Sequence, residues 1–413
     1  MRKFLLRHLM VLGLAASVSA SAMMGCGGGG NGSSGGPDAG GSTLAPDVVS
    51  TYASIVYASY QDTQTLNLTL QSAIAVFTAA PSAPTLAAAQ NAWIAAREVY
   101  GQTEAYRFYS GPIDNEVDGP EGLLNSWPLD EQAIDYVQSN ANAGIINDLG
   151  IPNSSLTPNG IAALNQVEGE TSVTTGYHAI EFLLWGQDLS DGAGAGQRGP
   201  ADYISTANHE RRALYLNALA QLLVDNTQQL VDAWAPNDAS NYRSAFVAAS
   251  AQQHSLAKIL VGMGSLSGGE MGGERMRGLD TGDKEEEHSC FSDNTHRDFV
   301  VDQQGIVNVY QGRYMRLNGA VIDGPGINDL VQAANASLNS EVNSQFATTQ
   351  QLLGLISDRA EGGLSFDQQI KVENASAHST VDAARISLQA QATLFSRVAQ
   401  ALSLNINLDQ DGQ

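Results

Sequence analysis

Basic residues, cysteines and complete enzyme signatures are all scarce in this sequence. Only 20 of its 413 residues are Lys or Arg, against 43 Asp or Glu, a formal net charge of −23. Nothing in that balance offsets phosphate repulsion, so nucleic acid is not expected as a partner. Cations are compatible with it, although most acidic surfaces are simply solvated. The two cysteines, Cys26 and Cys290, give no disulfide framework. No HExxH is present, and Phe182 stands where the inverted HxxEH form needs its second histidine. GxSxG, a Walker loop and a dinucleotide fingerprint are also absent. The "DNEVDG" run fails as a calcium loop, with Glu116 at its third position and Asn125 at its twelfth.

The N-terminus reads as a targeting segment. Arg2, Lys3 and Arg7 precede an apolar run over residues 9–22 and then small residues. Fourteen residues at about 1.5 Å each fall short of a bilayer core of about 30 Å. Residues 1–25 are therefore expected to be a signal peptide. "MMGC" resembles a bacterial lipoprotein cleavage box, with Cys26 as the lipid acceptor, although Met23 is an unusual choice at its start. Cleavage removes three basic residues and no acidic one, so the mature chain is more acidic still. With Cys26 in a thioether, no second cysteine is left in the chain to form a disulfide with Cys290. Residues 26–46 read as a Gly/Ser-rich tether holding a folded body off the membrane.

From about Ala45 the pattern becomes helical. Leu66, Leu70, Ile74 and Phe77 recur at helical spacing, as do Leu216, Leu219, Leu223 and Leu230. Val381, Leu388, Phe395 and Leu402 repeat every seven residues, a bundle seam. No convincing alternation of strand residues interrupts this, so the expected fold is all-α: two related helical bundles with a cleft between them. The expected division is an N-terminal domain over 47–262, an interdomain loop over 263–295 and a C-terminal domain over 296–408. A helix is expected to run through Trp93, Arg97, Tyr100 and Glu104, with others across 202–234, 240–262, 296–318, 326–357 and 366–404, and a structured loop across 110–130.

"TTGYHAIEFLLWGQDLS" carries the sharpest chemical hint. His178 and Glu181, at i and i+3 on a helix, share a face, so an imidazole nitrogen and a carboxylate oxygen can reach one ion. Two ligands do not complete a zinc or iron site, and HxxE alone arises often by chance. Gly176 at the helix start permits close backbone approach, and Thr174 or Thr175 is a candidate cap. Glu104, placed with Arg97 on one helical face, and Asp114 in the 110–130 loop are candidate additions. "EEEHSCFSDNTH" holds the densest cluster of ligand-type residues: Glu287, His288, Cys290, Asp293 and His296. Its alternative reading is a polar loop capping helices with Ser289, Asp293 and Thr295.

Taken together these residues resemble the imelysin family. The motif GxHxxE is Gly176, His178 and Glu181, and "WIAAREVYGQTEAYRF", "GPIDN…GPEGLLNSWPLDEQAIDYV" and "EEEHSCFSDNTHRD" look like segments of its iron-regulated lipoprotein branch. The family also includes an insulin-cleaving membrane protease. The resemblance implies a cleft containing the HxxE pair, and a metal ion held by His178 and Glu181 with Glu104. Iron is favoured, with zinc or copper as alternatives. Arg97 and residues 287–296 would support the site. It further implies a cell-envelope lipoprotein of the outer membrane, periplasmic or surface-exposed, membrane-bound through its lipid anchor. Its partners would be a metal or iron-linked ligand and envelope transport components. The alternatives are a metallopeptidase, in which Glu181 would be catalytic, and a non-metal module that binds peptide, haem or protein.

Overall fold

The computed structural model describes residues 44–190 and 194–408, without the side chain of Glu285. The signal segment, Cys26 and the tether up to residue 43 lie outside the described residues. Nine α-helices of eight or more residues are described: α1 (Ala45–Ala79), α2 (Ala83–Tyr100), α3 (Gly176–Trp185), α4 (His209–Trp234), α5 (Gln252–Ser265), α6 (Thr295–Gln311), α7 (Ile327–Ala334), α8 (Ala336–Glu361) and α9 (Ala375–Ala401). None is long and apolar enough to cross a membrane.

The expected periodicities become the cores of two helical groups. Leu70, Ile74 and Phe77 of α1 are fully buried, and so are Leu216 and Leu219 of α4. Together with α2 and α3 these helices form the first group. Val381, Leu388 and Phe395 of α9 are fully buried in the second group, which also contains α6 and α8. The fold is thus all-α. The turn Gly101–Tyr106, which continues α2, packs against α6 and so ties the groups together.

Local chemistry explains the boundaries. Pro46 and Asp47 open α1, with the proline where an amide has no helical partner. Ser82 and Thr85 form a reciprocal capping box at α2. Neither Thr174 nor Thr175 caps α3: the Thr174 hydroxyl points to the Ile161 carbonyl, and Thr175 makes no capping bond. Helix α3 depends instead on Gly176, whose φ is +85°. A Cβ there would lie 2.5 Å from the Leu124 carbonyl oxygen, so no other residue fits without displacement.

Several boundaries differ from the sequence expectation. Helix α2 ends at Tyr100, so Glu104 sits in the following 3₁₀ turn and not on the helical face of Arg97. Helix α4 begins at His209, after a left-handed Asn208. Residues 266–275, expected in a loop, prolong α5 as a π-helical segment whose Gly268 and Gly272 let α9 approach closely. Residues 313–318, expected to be helical, instead begin a small hairpin of β1 (Arg313–Met315) and β2 (Val321–Asp323), paired antiparallel. Asn335 divides α7 from α8 and caps the latter through Leu338 N.

Candidate functional site

All ten residues of α3 are buried, so its two ionisable side chains must find partners inside the protein. His178 Nδ1 and Glu181 Oε2 are 2.9 Å apart. Glu181 Oε1 accepts two bonds from Ser292, at 2.9 Å from its amide and 2.7 Å from its hydroxyl. The other ring nitrogen, His178 Nε2, is buried and has no hydrogen-bond partner. Trp127 packs edge-on against the imidazole, with centroids 4.9 Å apart, and Phe291 packs beside Trp127. Burial, together with the nearby Arg97, His288 and Arg275, holds the imidazole well below its ordinary pKa. Burial pushes Glu181 up to about 8, although the Ser292 bonds pull the other way.

A buried ion network adjoins this pair. Arg97 donates from Nε to Asp298 Oδ1 at 3.1 Å and from Nη1 to Asn125 Oδ1 at 2.5 Å, and in the ion pair its Nη2 lies 3.0 Å from the same Asp298 oxygen. Its guanidinium lies over the rings of Trp93, Tyr100 and Tyr177. Burial alone would lower the Arg97 pKa, but Asp298 and Glu104 raise it. The second oxygen of Asp298 accepts from the Ser289 hydroxyl at 2.5 Å. Glu104 is fully buried, paired with Arg107 and 3.5 Å from Asn125 Nδ2. Arg107 also reaches Glu121 at 3.0 Å.

A third group centres on His288. Its Nε2 is 3.4 Å from Glu270 Oε1, and its Nδ1 is 3.7 Å from Asp302 Oδ2. Glu270, on the π-helical segment, accepts from Arg275 Nε at 2.8 Å. Burial would raise the Glu270 pKa, but Arg275, His288 and Arg107 hold it well below its ordinary value. Asp302 is fully buried, and burial, with Glu104 and Asp298 nearby, raises its pKa well above the usual carboxylate range. A cleft of about 640 Å³ is lined in part by Ser265 and by Arg107, Glu121, Trp127, Glu270 and Arg275, the outer members of these groups. Another concavity, of about 490 Å³ beside Asp118, Asp232 and Tyr242, contains none of them.

The structure thus brings His178, Glu181, Arg97, Glu104 and His288 into one buried polar region. It does not arrange them as a ready ligand set: among the described residues, no group of three or more His, Cys, Asp or Glu is placed to hold a metal ion. Glu104 faces arginine and asparagine instead. Asp114 closes its own loop, accepting from the amides of Tyr109 and Gly111 at 3.1 and 2.6 Å. Asp293 accepts from Gly194 N at 3.0 Å, and its carbonyl receives His296 Nδ1 at 3.0 Å. Glu287 and Cys290 are buried nearby. The alternative capping reading of this segment also changes. The side chain of Asn294, at the N-cap of α6, makes no capping bond; Thr295 accepts from Ser289 N, and Ser289 serves Asp298.

Sequence reasoning missed Asn125, Asp298, Asp302 and Glu270, and it placed Ser292 only within the supporting 287–296 segment, without a role. The one legible signal was Asp298 and Asp302 at i and i+4, which puts two carboxylates on one face of α6.

Comparison with known proteins identifies the family and the fold. The imelysin family profile, peptidase M75, matches residues 56–395. Iron-regulated protein A of Synechococcus elongatus is 27% identical over 328 residues, covering 77% of this chain and 75% of that protein. A Parabacteroides distasonis protein, provisionally named iron-regulated protein A precursor, shares the fold with a TM-score of 0.65. It has 19% identity and covers 86% of this chain and 95% of its own. An imelysin-like protein from Psychrobacter arcticum aligns with a TM-score of 0.59 and 14% identity, covering 87% of this chain and 98% of its own. With its match spanning most of the sequence, this chain belongs to the imelysin family.

Proposed function

We propose that this imelysin is a cell-envelope lipoprotein that binds a metal ion, iron foremost, at His178 as part of iron acquisition. One observation carries the reading: His178 Nε2 is buried and has no hydrogen-bond partner, while Nδ1 is fixed by a carboxylate. Metal-bound histidines characteristically donate their second ring N–H to a carboxylate, which fixes the tautomer and orients the ring. Glu181 suits that orienting role better than the ligand role, because Ser292 occupies one of its oxygens and His178 the other.

The donor set fits a cation only in part. His178 supplies one nitrogen, and Glu104 would join it by exchanging its Arg107 contact for the ion. When bound, the metal supplies positive charge that favours the ionised form of Glu181. The name of the Synechococcus relative, iron-regulated protein A, supports iron. Lipid attachment at Cys26 would hold the protein at the outer membrane, beside the transport components it serves. Cys26→Ser should then move it from the membrane to the soluble fraction; a variant that stays membrane-bound would remove the anchor from the proposal.

The test is metal analysis of anaerobically purified mature protein after incubation with ferrous iron. Wild type should retain iron and His178→Ala should lose the His178-dependent share. Equal retention by both proteins refutes the reading. Chelator-sensitive peptide cleavage that disappears in Glu181→Ala would replace binding by peptidase chemistry.

A further inference from the structure

We propose a second divalent-cation site, between Asp302 Oδ2 and His288 Nδ1, separate from Nε2 of His178. Asp302 is fully buried, yet neither of its oxygens has a hydrogen-bond partner among the described residues. His288 Nδ1 is likewise buried without one. Leaving a buried carboxylate unsatisfied is costly, by several kcal/mol in order of magnitude. Such groups call for an occupant.

Charge and distance identify the occupant's chemistry. Each neighbouring guanidinium is committed elsewhere: Arg97 to Asp298, Arg107 to Glu104 and Glu121, and Arg275 to Glu270. Asp302 is left with only the imidazole, 3.7 Å away. That is too long for a hydrogen bond. It is close to the separation of two ligands sharing one ion, because bonds of about 2.1 Å at a tetrahedral angle put the donor atoms about 3.4 Å apart. A slightly wider angle accommodates the remainder.

The donors are one carboxylate oxygen and one imidazole nitrogen, a pair suited to zinc or ferrous iron more than to calcium or magnesium. Glu270, beside Nε2, stands to His288 as Glu181 stands to His178, with a carboxylate on one ring nitrogen and the other nitrogen free of hydrogen bonds. Two protein ligands leave the remaining positions to water or to a bound cargo. Glu270 also lines the cleft, so solvent comes near the Nε2 side of His288, while His288 and Asp302 themselves lie behind it.

The test is anaerobic titration of the full mature protein with zinc, with stoichiometry and affinity read by calorimetry. Wild type should bind two ions. Asp302→Asn and His288→Gln should each weaken one of them at least ~10-fold while retaining the His178-dependent ion, and His178→Ala should do the reverse. Asp302→Asn preserves shape and removes a buried charge, so it should fold; circular dichroism melting checks this in each variant. Zinc binding that is unchanged in both Asp302→Asn and His288→Gln overturns the proposal and leaves His288 and Asp302 as a bare ion pair. A single ion lost only in His178→Ala also overturns it, while sparing the reading of His178.

Discussion

Replacing Arg97 by methionine should cost about 3–5 kcal/mol of folding stability, the range found when one partner of a buried ion pair is removed. The figure follows from what the guanidinium leaves behind. Asp298 is fully buried and would lose both contacts to Arg97, keeping only the Ser289 hydroxyl. Asn125 would lose its bond from Nη1, and three aromatic rings would lose a cation. Cation–π contacts are worth about 0.5–2 kcal/mol in related settings, but they share one guanidinium with the ion pair and do not simply add. Methionine fills much of the volume, so the cost is chiefly that of a stranded carboxylate. The assay is urea unfolding followed by tryptophan fluorescence and circular dichroism. The diagnostic step is the double variant Arg97→Met/Asp298→Asn, which removes the stranded charge and should recover most of the loss. A single-variant loss under about 1 kcal/mol, or a double variant as poor as the sum of both singles, would refute the argument.

Three further outcomes follow from named contacts. Gly176→Ala should displace α3, because the new Cβ lies 2.5 Å from the Leu124 carbonyl oxygen and φ is +85°. The left-handed backbone alone costs about 1–2 kcal/mol, and both thermal stability and His178-dependent metal binding should fall; unchanged melting would contradict the geometry. Ser292→Ala removes the hydroxyl bond to Glu181 but keeps the amide bond. Metal affinity should fall about 10-fold while the fold persists, as expected for a group that orients a ligand's partner; unchanged affinity would make Ser292 a bystander. Asp293 has its folded pKa raised to about 6, chiefly by burial with Asp367 and Asp188 nearby. A raised folded pKa gives stability that is complete below the unfolded value, about 4, and is lost as pH rises through 6. Asp293→Asn, which tolerates the left-handed backbone and can still accept from Gly194, should flatten that part of the stability profile and gain roughly 1–2 kcal/mol above pH 7, with solvent screening allowed for; an identical profile would count against it.

Much of the fold was legible because helices bury residues periodically. The runs in α1, α4 and α9 needed no knowledge of their partners to be recognised, and Leu70, Leu216 and Leu388 are all fully buried. Boundaries were less legible where tertiary contacts set them. The hairpin at 313–323 has strands of three residues each, too short for alternation to register. The π-helical segment depends on glycines whose role appears only against α9. At the site, GxHxxE announced its helix and its pair, but not that the glutamate would be held from the far side by Ser292, 111 residues away in sequence. Glu104 has the right residue type for a ligand, yet arginines are also drawn to buried carboxylates, and Arg107 is three residues on. Asp302 was legible only as half of an i, i+4 carboxylate pair; that it lacks a hydrogen-bond partner is a property of the folded interior alone.

The central claim is that His178 presents Nε2 to a cation while Glu181 steadies Nδ1. Anomalous diffraction at the iron edge from crystals of the mature protein, grown anaerobically with ferrous iron, tests it most directly. The account predicts an iron peak within bonding distance of His178 Nε2, with the Nδ1–Glu181 contact intact. No peak at His178, or a peak bridging Nδ1 and the Glu181 carboxylate, would contradict it.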